Sequence, residues 1–179
     1  MRVIAGAARR TVLLAPEGHN TRPTADRVKE NLFNIISPYV PGARFLDLYC
    51  GSGAIGIEAL SRGAGEAVFV DASKDAIRVT NANLSRARLT GLALTMCAIA
   101  AITRLEHEGF SFDIVFLDPP YGMGLISRTL DALGKSPLIT PKSLVIAECP
   151  ANEHPKMAEP LILQDVRDYG STRLMFLST

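Results

Sequence analysis

Apolar and polar positions change their spacing twice along this chain of 179 residues. Near the start the pattern is local. Two short apolar runs, Arg2–Ala5 and Thr11–Ala15, flank Gly6-Ala-Ala-Arg-Arg10 and predict a small β-hairpin. Pro16-Glu-Gly-His-Asn20 is a loop on composition. A helix is predicted from about Ala25 to Ile36, with Thr24 as its N-cap. Its apolar residues Val28, Leu32 and Ile35/Ile36 recur at i, i+4 and i+7/8, which is one helical face. Ser37-Pro-Tyr-Val-Pro-Gly42 stops that helix and divides the chain into an extension, 1–42, and a main domain, 43–179.

From Arg44 onward, short apolar runs alternate with amphipathic stretches. Strands are predicted at Arg44–Tyr49, Ala67–Asp71, Ala93–Cys97, Phe112–Asp118 and Ser143–Glu148. Helices fill the gaps at about 54–62, 74–89, 99–107 and 124–133. This alternation means βαβ units and an α/β fold, a parallel sheet with helices on both faces. The end breaks the rhythm. Leu161–Asp168, a turn at Tyr169-Gly170-Ser171, and Thr172–Leu177 predict a closing antiparallel hairpin.

Composition narrows the class. With 47% hydrophobic residues and a net charge of +1, the chain can bury a sizeable core and is not disordered. Its longest apolar stretch, Leu92 to Ile102, is interrupted by Thr95 and falls far short of the roughly 20 residues of a membrane span. Met1 to Arg10 has no apolar h-region, so a cytoplasmic location is expected. Cys50, Cys97 and Cys149 are widely scattered, which suits neither a disulfide framework nor a zinc site. His19, His107 and His154 have no ligand spacing or nucleophile partner, so no metal is expected.

The small net charge hides an asymmetry. Residues 1–44 hold seven basic side chains against three acidic ones, whereas residues 45–179 hold 12 basic and 15 acidic. A basic front on a mildly acidic body suggests an anionic partner, although a solvated charged face would look the same.

Candidate chemistry begins at Phe45-Leu-Asp47-Leu-Tyr49-Cys-Gly51-Ser-Gly53-Ala-Ile-Gly56. The three glycines form G-x-G-x-x-G between a strand and a helix, and Asp71 ends the next strand, placed to accept from ribose hydroxyls. Alone, that pattern fits a nicotinamide dinucleotide or S-adenosylmethionine. Asp47 separates the two, because a carboxylate there would repel a pyrophosphate and suits a cationic ammonium and sulfonium.

Asp118-Pro119-Pro120-Tyr121 ends the fourth strand and would face the same crevice. The prolines stiffen the loop and remove two N–H donors, leaving carbonyls to accept from a substrate. Asp118 can accept from an amino group, and Tyr121 offers a ring on which a base can stack. Read as structure only, the same residues make a rigid turn with a packed tyrosine. In the stretch Thr21–Phe33, Arg22, Arg27 and Lys29 are candidate phosphate ligands, joined by Arg9 and Arg10 at the hairpin tip. Val28, Leu32 and Phe33 of the first helix belong to the core in either reading.

These motifs resemble those of class I S-adenosylmethionine-dependent amino-methyltransferases. The block Arg22-Pro-Thr-x-Asp-Arg-Val-Lys-Glu-x-Leu-Phe33 and the closing Tyr169-Gly-Ser-Thr-Arg-Leu174 narrow the resemblance to the bacterial RsmD family, which methylates guanine N2 in 16S ribosomal RNA. The resemblance runs nearly end to end. It implies a Rossmann-like fold with a seven-stranded, mostly parallel sheet, and a target presented by a 30S-like particle. By position, Thr24, Asp47, Tyr49, Gly51 and Gly53 would line the methionine end of the cofactor. Asp71 would bind its ribose, and Ala72, Cys97 and Ala98 would surround the adenine. Such folds often carry Asp or Asn before that alanine, so Cys97 is a departure that shifts adenine recognition towards the backbone. Asp118 through Tyr121 would be the catalytic loop, acting on the target amine without a metal, and a monomer is the default. Rival readings are an adenine-N6 methyltransferase, a protein-amide methyltransferase and a non-catalytic nucleotide-binding module.

Overall fold

The computed structural model describes residues 1–16, 23–156 and 159–179. Among these residues, five α-helices and seven strands follow in the order α1 (Pro23–Ile36), β1 (Arg44–Leu48), α2 (Ala54–Ser61), β2 (Glu66–Asp71), α3 (Lys74–Ala87), β3 (Leu92–Thr95), α4 (Ala98–His107), β4 (Ile114–Leu117), α5 (Leu125–Gly134), β5 (Leu144–Pro150), β6 (Ile162–Tyr169) and β7 (Thr172–Ser178). They build one sheet of order β3-β2-β1-β4-β5-β7-β6. The first five strands are parallel, and β7 runs antiparallel to both β5 and β6. This is the α/β sheet with a closing hairpin that the alternation predicts. The order reverses between β1 and β4, and such a switch point opens a crevice beyond the strands' carboxyl ends.

Strand side chains alternate between two cores. Phe45, Phe69, Ile114, Phe116, Ile146 and Phe176 pack on one face with α1, α2 and α3. Leu46, Val68, Val115, Leu117, Val145 and Leu177 pack on the other with α4 and α5. Burial on both faces explains why the central strands read as unbroken apolar runs. Val3, Ala8 and Leu13 of the extension, with Val28, Leu32, Phe33 and Ile36 of α1, enter the first core.

Several boundaries move for physical reasons. β1 stops at Leu48 because Tyr49 turns to φ 63°, carrying the chain out of the sheet. β3 ends at Thr95, and Cys97 instead precedes α4 in an extended conformation. The predicted hairpin at 2–15 is present but narrow: one antiparallel bridge joins Arg2 and Val12, flanked by bonds from Val3 N–H to the Thr11 carbonyl and from Leu13 N–H to the Met1 carbonyl. The N–H groups near its turn reach α2: Ile4 N–H and Ala5 N–H donate to the Glu58 carboxylate, and Ala8 N–H donates to Ser61 Oγ. Gly6 permits that approach, since at φ 82° an added Cβ would sit 1.7 Å from the Ser61 carbonyl oxygen. Helix α1 starts at Pro23, so Thr24 lies within its first turn and is not the N-cap.

Candidate active site

The crevice is built from strand ends. After β1, the chain passes through Tyr49 and Cys50 into the glycine loop, where Gly51 has φ 54° and Gly53 has φ 74°. The three glycines divide their work. A Cβ on Gly51 would meet nothing within 4 Å, which leaves room for a ligand against the backbone. One on Gly53 would lie 2.8 Å from Thr80 Cγ2, and one on Gly56 would lie 2.3 Å from Phe69. At Gly53 and Gly56 a side chain would collide with packed neighbours, whereas at Gly51 the Cβ position is open.

Two acidic residues brace this loop. Asp47 is buried, and its Oδ2 accepts from Gly56 N–H at 2.9 Å, satisfying a donor in the first turn of α2. Burial pushes the Asp47 carboxyl up to about 7, partly offset by that hydrogen bond and reinforced by Asp118 and Asp71. Asp71 Oδ2 accepts from Gly51 N–H at 2.9 Å, and its Oδ1 accepts from Ser73 N–H at 2.8 Å. Each Asp71 oxygen keeps a further lone pair, as a ribose diol requires.

The far wall of the loop comes from α3, whose contribution sequence reasoning missed. Thr80 Oγ1 donates to the Gly51 carbonyl at 3.1 Å. The Asn83 amide donates to the Ser52 carbonyl at 2.8 Å and to the Leu14 carbonyl at 3.0 Å, while its Oδ1 accepts from Leu14 N–H at 2.8 Å. One side chain thus ties the extension to the loop. Across the crevice, Tyr49 Oη and Thr129 Oγ1 share a hydrogen bond of 2.7 Å. Ala72 and Cys97 are exposed after β2 and β3, and Ala98 is buried at the start of α4.

Asp118 leaves β4 beside β1, where its N–H reaches the Leu48 carbonyl at 3.4 Å. Burial raises the Asp118 carboxyl well above the ordinary carboxylate range. Pro119 is buried, whereas Tyr121 is 56% exposed, so its ring is accessible from solvent. Burial and the nearby Asp118 and Glu148 carboxylates push the Tyr121 phenol up to about 12, so it stays protonated at neutral pH. Pro119, Pro120, Tyr121, Glu148 and Glu153 line one shallow cleft.

Glu148, in β5, is the main functional candidate absent from the sequence reading. Burial raises its carboxyl, and Asp118 raises it further. With Asp47 and Asp71, these side chains make the strand ends rich in acid. That concentration suits a cationic cofactor and disfavours a pyrophosphate, so the residues present fit S-adenosylmethionine.

The basic candidates separate. Arg9 and Arg10 are exposed on the turn of the extension, and Arg27 is exposed on α1. Lys29 is not a phosphate ligand. Its side chain is 2% exposed, its Nζ lies 3.2 Å from Glu58 Oε2, and it donates to the Arg2 carbonyl at 2.7 Å. The helix turns Lys29 inward with Val28, and the buried carboxylate compensates its charge. Arg22 lies outside the described residues, as does the side chain of Thr24.

Among the described residues, no helix is long and apolar enough to cross a membrane. The family model described as conserved hypothetical protein 95 matches residues 1–178. YlbH of Bacillus subtilis is 37% identical over 175 residues, covering 96% of this chain and 95% of that one. Ribosomal RNA small subunit methyltransferase D of Escherichia coli is 33% identical over 148 residues, covering 83% and 74%. A Thermus thermophilus protein superposes with a TM-score of 0.87 at 29% identity, covering 100% of this chain and 99% of that one. The fold also recurs in a T. thermophilus 16S rRNA N2 G1207 methyltransferase solved with AdoMet and guanosine, at 19% identity and a TM-score of 0.70, covering 90% and 44%. The acid-lined crevice, the Asp118–Tyr121 loop and these end-to-end matches agree: the chain belongs to the small subunit methyltransferase D (RsmD) family of S-adenosylmethionine-dependent methyltransferases.

Proposed function

We propose that this protein transfers a methyl group from S-adenosylmethionine to the N2 amine of a specific guanine in 16S ribosomal RNA, within an assembled 30S-like particle. The observation that carries the reading is the placement of Asp118 and its prolines beside a glycine loop held by Asp47 and Asp71. S-adenosylmethionine, when bound, supplies a methyl group made electrophilic by its sulfonium. Asp71 would hold its ribose, and Tyr49, Gly51 and Gly53 would line its methionine end, with Thr24 assigned there by position. Ala72, Cys97 and Ala98 would border its adenine, and Asp47 would act from beneath the loop through its charge and the Gly56 hydrogen bond.

Guanine N2 is a weak nucleophile because its lone pair is delocalised into the ring. Asp118 and the Pro119 carbonyl accept from the amino group, turning that lone pair out of the ring plane and towards the crevice. Pro119 and Pro120 offer no competing N–H, and Tyr121 stacks on a base that has left its helix. Positioning supplies most of the acceleration, for which aligned reactants gain up to roughly 7–11 kcal/mol. Arg9, Arg10, Arg22 and Arg27 contact phosphates and orient the particle, leaving specificity to RNA shape. The protein acts in the cytoplasm as a monomer.

The test is a labelled-methyl transfer assay offering 30S subunits without native methylation, free 16S RNA, DNA and protein, followed by digestion of the acceptor. The reading expects N2-methylguanosine from 30S subunits alone. N6-methyladenine from DNA would overturn the substrate, and no transfer despite cofactor binding would overturn the activity.

A further inference from the structure

Glu148 occupies a place that the proposed reaction leaves unused. In the parallel ladder Leu117 pairs with Ala147, so the next residues, Asp118 and Glu148, leave neighbouring strands side by side. Both are mostly buried, and Glu148 shares the cleft wall with Pro119, Pro120 and Tyr121. Among the described residues, neither carboxyl holds an oxygen that is both closed off from solvent and unpartnered, so acceptors without a protein donor open on the cleft. Two partly desolvated carboxyls held side by side are costly, because each disfavours the charge of the other. Donors from a ligand would relieve that cost.

Base chemistry says which donors fit. The Watson–Crick edge of guanine carries two neighbouring donors, N1–H and the 2-amino group. Adenine presents one amino group beside N1, which is a bare acceptor. Resting on the guanine-N2 reading above, we infer that Glu148 reads the target base, its carboxyl accepting the guanine N1–H while Asp118 accepts from the 2-amino group. Neighbouring carboxyls keep acceptor oxygens even where one is protonated, so guanine is matched and a base with a lone pair at N1 is not. A site whose buried acceptors would be left unpaired rejects the analogue strongly. The same pairing fixes the ring plane, and thereby aims the amino group.

The discriminating probe is 2-aminopurine riboside, which keeps the 2-amino group but has an acceptor at N1. Its binding and that of guanosine are compared in the presence of S-adenosylhomocysteine, for the wild-type protein, Glu148→Ala and Glu148→Gln. The wild type is expected to prefer guanosine by roughly 10- to 100-fold. Glu148→Ala should bring that preference close to one by weakening guanosine alone. Glu148→Gln, which keeps the side chain's size, should lower it while S-adenosylhomocysteine affinity, read by calorimetry, stays unchanged. A preference retained in both variants, or a wild type that binds neither nucleoside or both equally, overturns the inference. Failure of the underlying reading looks different: the wild type then forms no N2-methylguanosine on 30S subunits.

Discussion

Lys29 Nζ and Glu58 Oε2 stand 3.2 Å apart with both side chains closed off from solvent. Glu58 is fully committed, since it also accepts from Ile4 N–H, Ala5 N–H and Arg62 Nε. Burial pulls the Lys29 ammonium below its ordinary value while Glu58 opposes the shift. The pair joins α1 and the extension to α2, the helix that follows the glycine loop. Lys29→Ala leaves the buried carboxylate with Arg62 as its one cation and opens a gap in the packing, and should cost about 2–4 kcal/mol in denaturant unfolding. RNA affinity of the variant's folded fraction should keep the wild-type dependence on salt, because no phosphate contact is lost.

Arg9 and Arg10 should behave in the opposite way. Both are exposed and make no ion pair among the described residues. Arg9→Ala/Arg10→Ala should leave stability within about 0.5 kcal/mol per site. It should weaken binding to the RNA particle and lower the slope of log affinity against log salt by roughly 1 to 2. An unchanged slope would remove the turn from the interface.

Asp71 and Asp118 divide binding from transfer. Asp71→Ala removes the acceptor that holds Gly51 N–H, and calorimetry should show S-adenosylmethionine affinity reduced by about 10-fold or more. Asp118→Ala should leave that affinity within about two-fold and lower methyl transfer by about 100-fold or more. Equal loss of binding in both variants would defeat this division.

Asp47 sets a stability profile against pH. Its carboxyl is raised to about 7 in the folded protein from an ordinary value of 3.8, so across that window the folded state keeps a proton the unfolded state has released. Stability should therefore fall as pH rises from about 4 to about 7, on the order of a few kcal/mol in total, and then level off. Asp118 and Glu148, raised for the same reason, add to the fall. Asp47→Asn keeps an acceptor for Gly56 N–H and carries no titratable charge. Its melting temperature should decline less between pH 5 and pH 8 than that of the wild type.

Sequence legibility followed the range of the interactions. The strands could be read because central parallel strands are apolar on both faces, as in Ile114–Leu117, and the glycine loop because its spacing is local. Lys29 was misread because its partner lies on another helix, and periodicity along α1 cannot reveal a buried carboxylate there. Thr80 and Asn83 look like ordinary polar helix positions until α3 is packed against the loop. Glu148 did leave a signal. Acid recurs at the carboxyl ends of the predicted strands, at Asp47, Asp71, Asp118 and Glu148, and reading these ends as one edge would have included it.

The bonds that seat residues 1–14 on α2 and α3 reach far along the chain. Ile4 and Ala5 wait for Glu58 across 54 and 53 positions, and Leu14 waits for Asn83 across 69. During synthesis from the N-terminus, residues 1–14 emerge long before α2 and α3 exist to receive them. At a ribosomal pace of about 5–20 residues per second, that is an interval of several seconds. For that time the arginine-bearing turn is an untethered basic segment. Its own turn bonds are local, but its seat waits for the helices that flank the cofactor loop, so the surface proposed to meet RNA and the pocket proposed to hold the methyl donor are anchored by the same two helices.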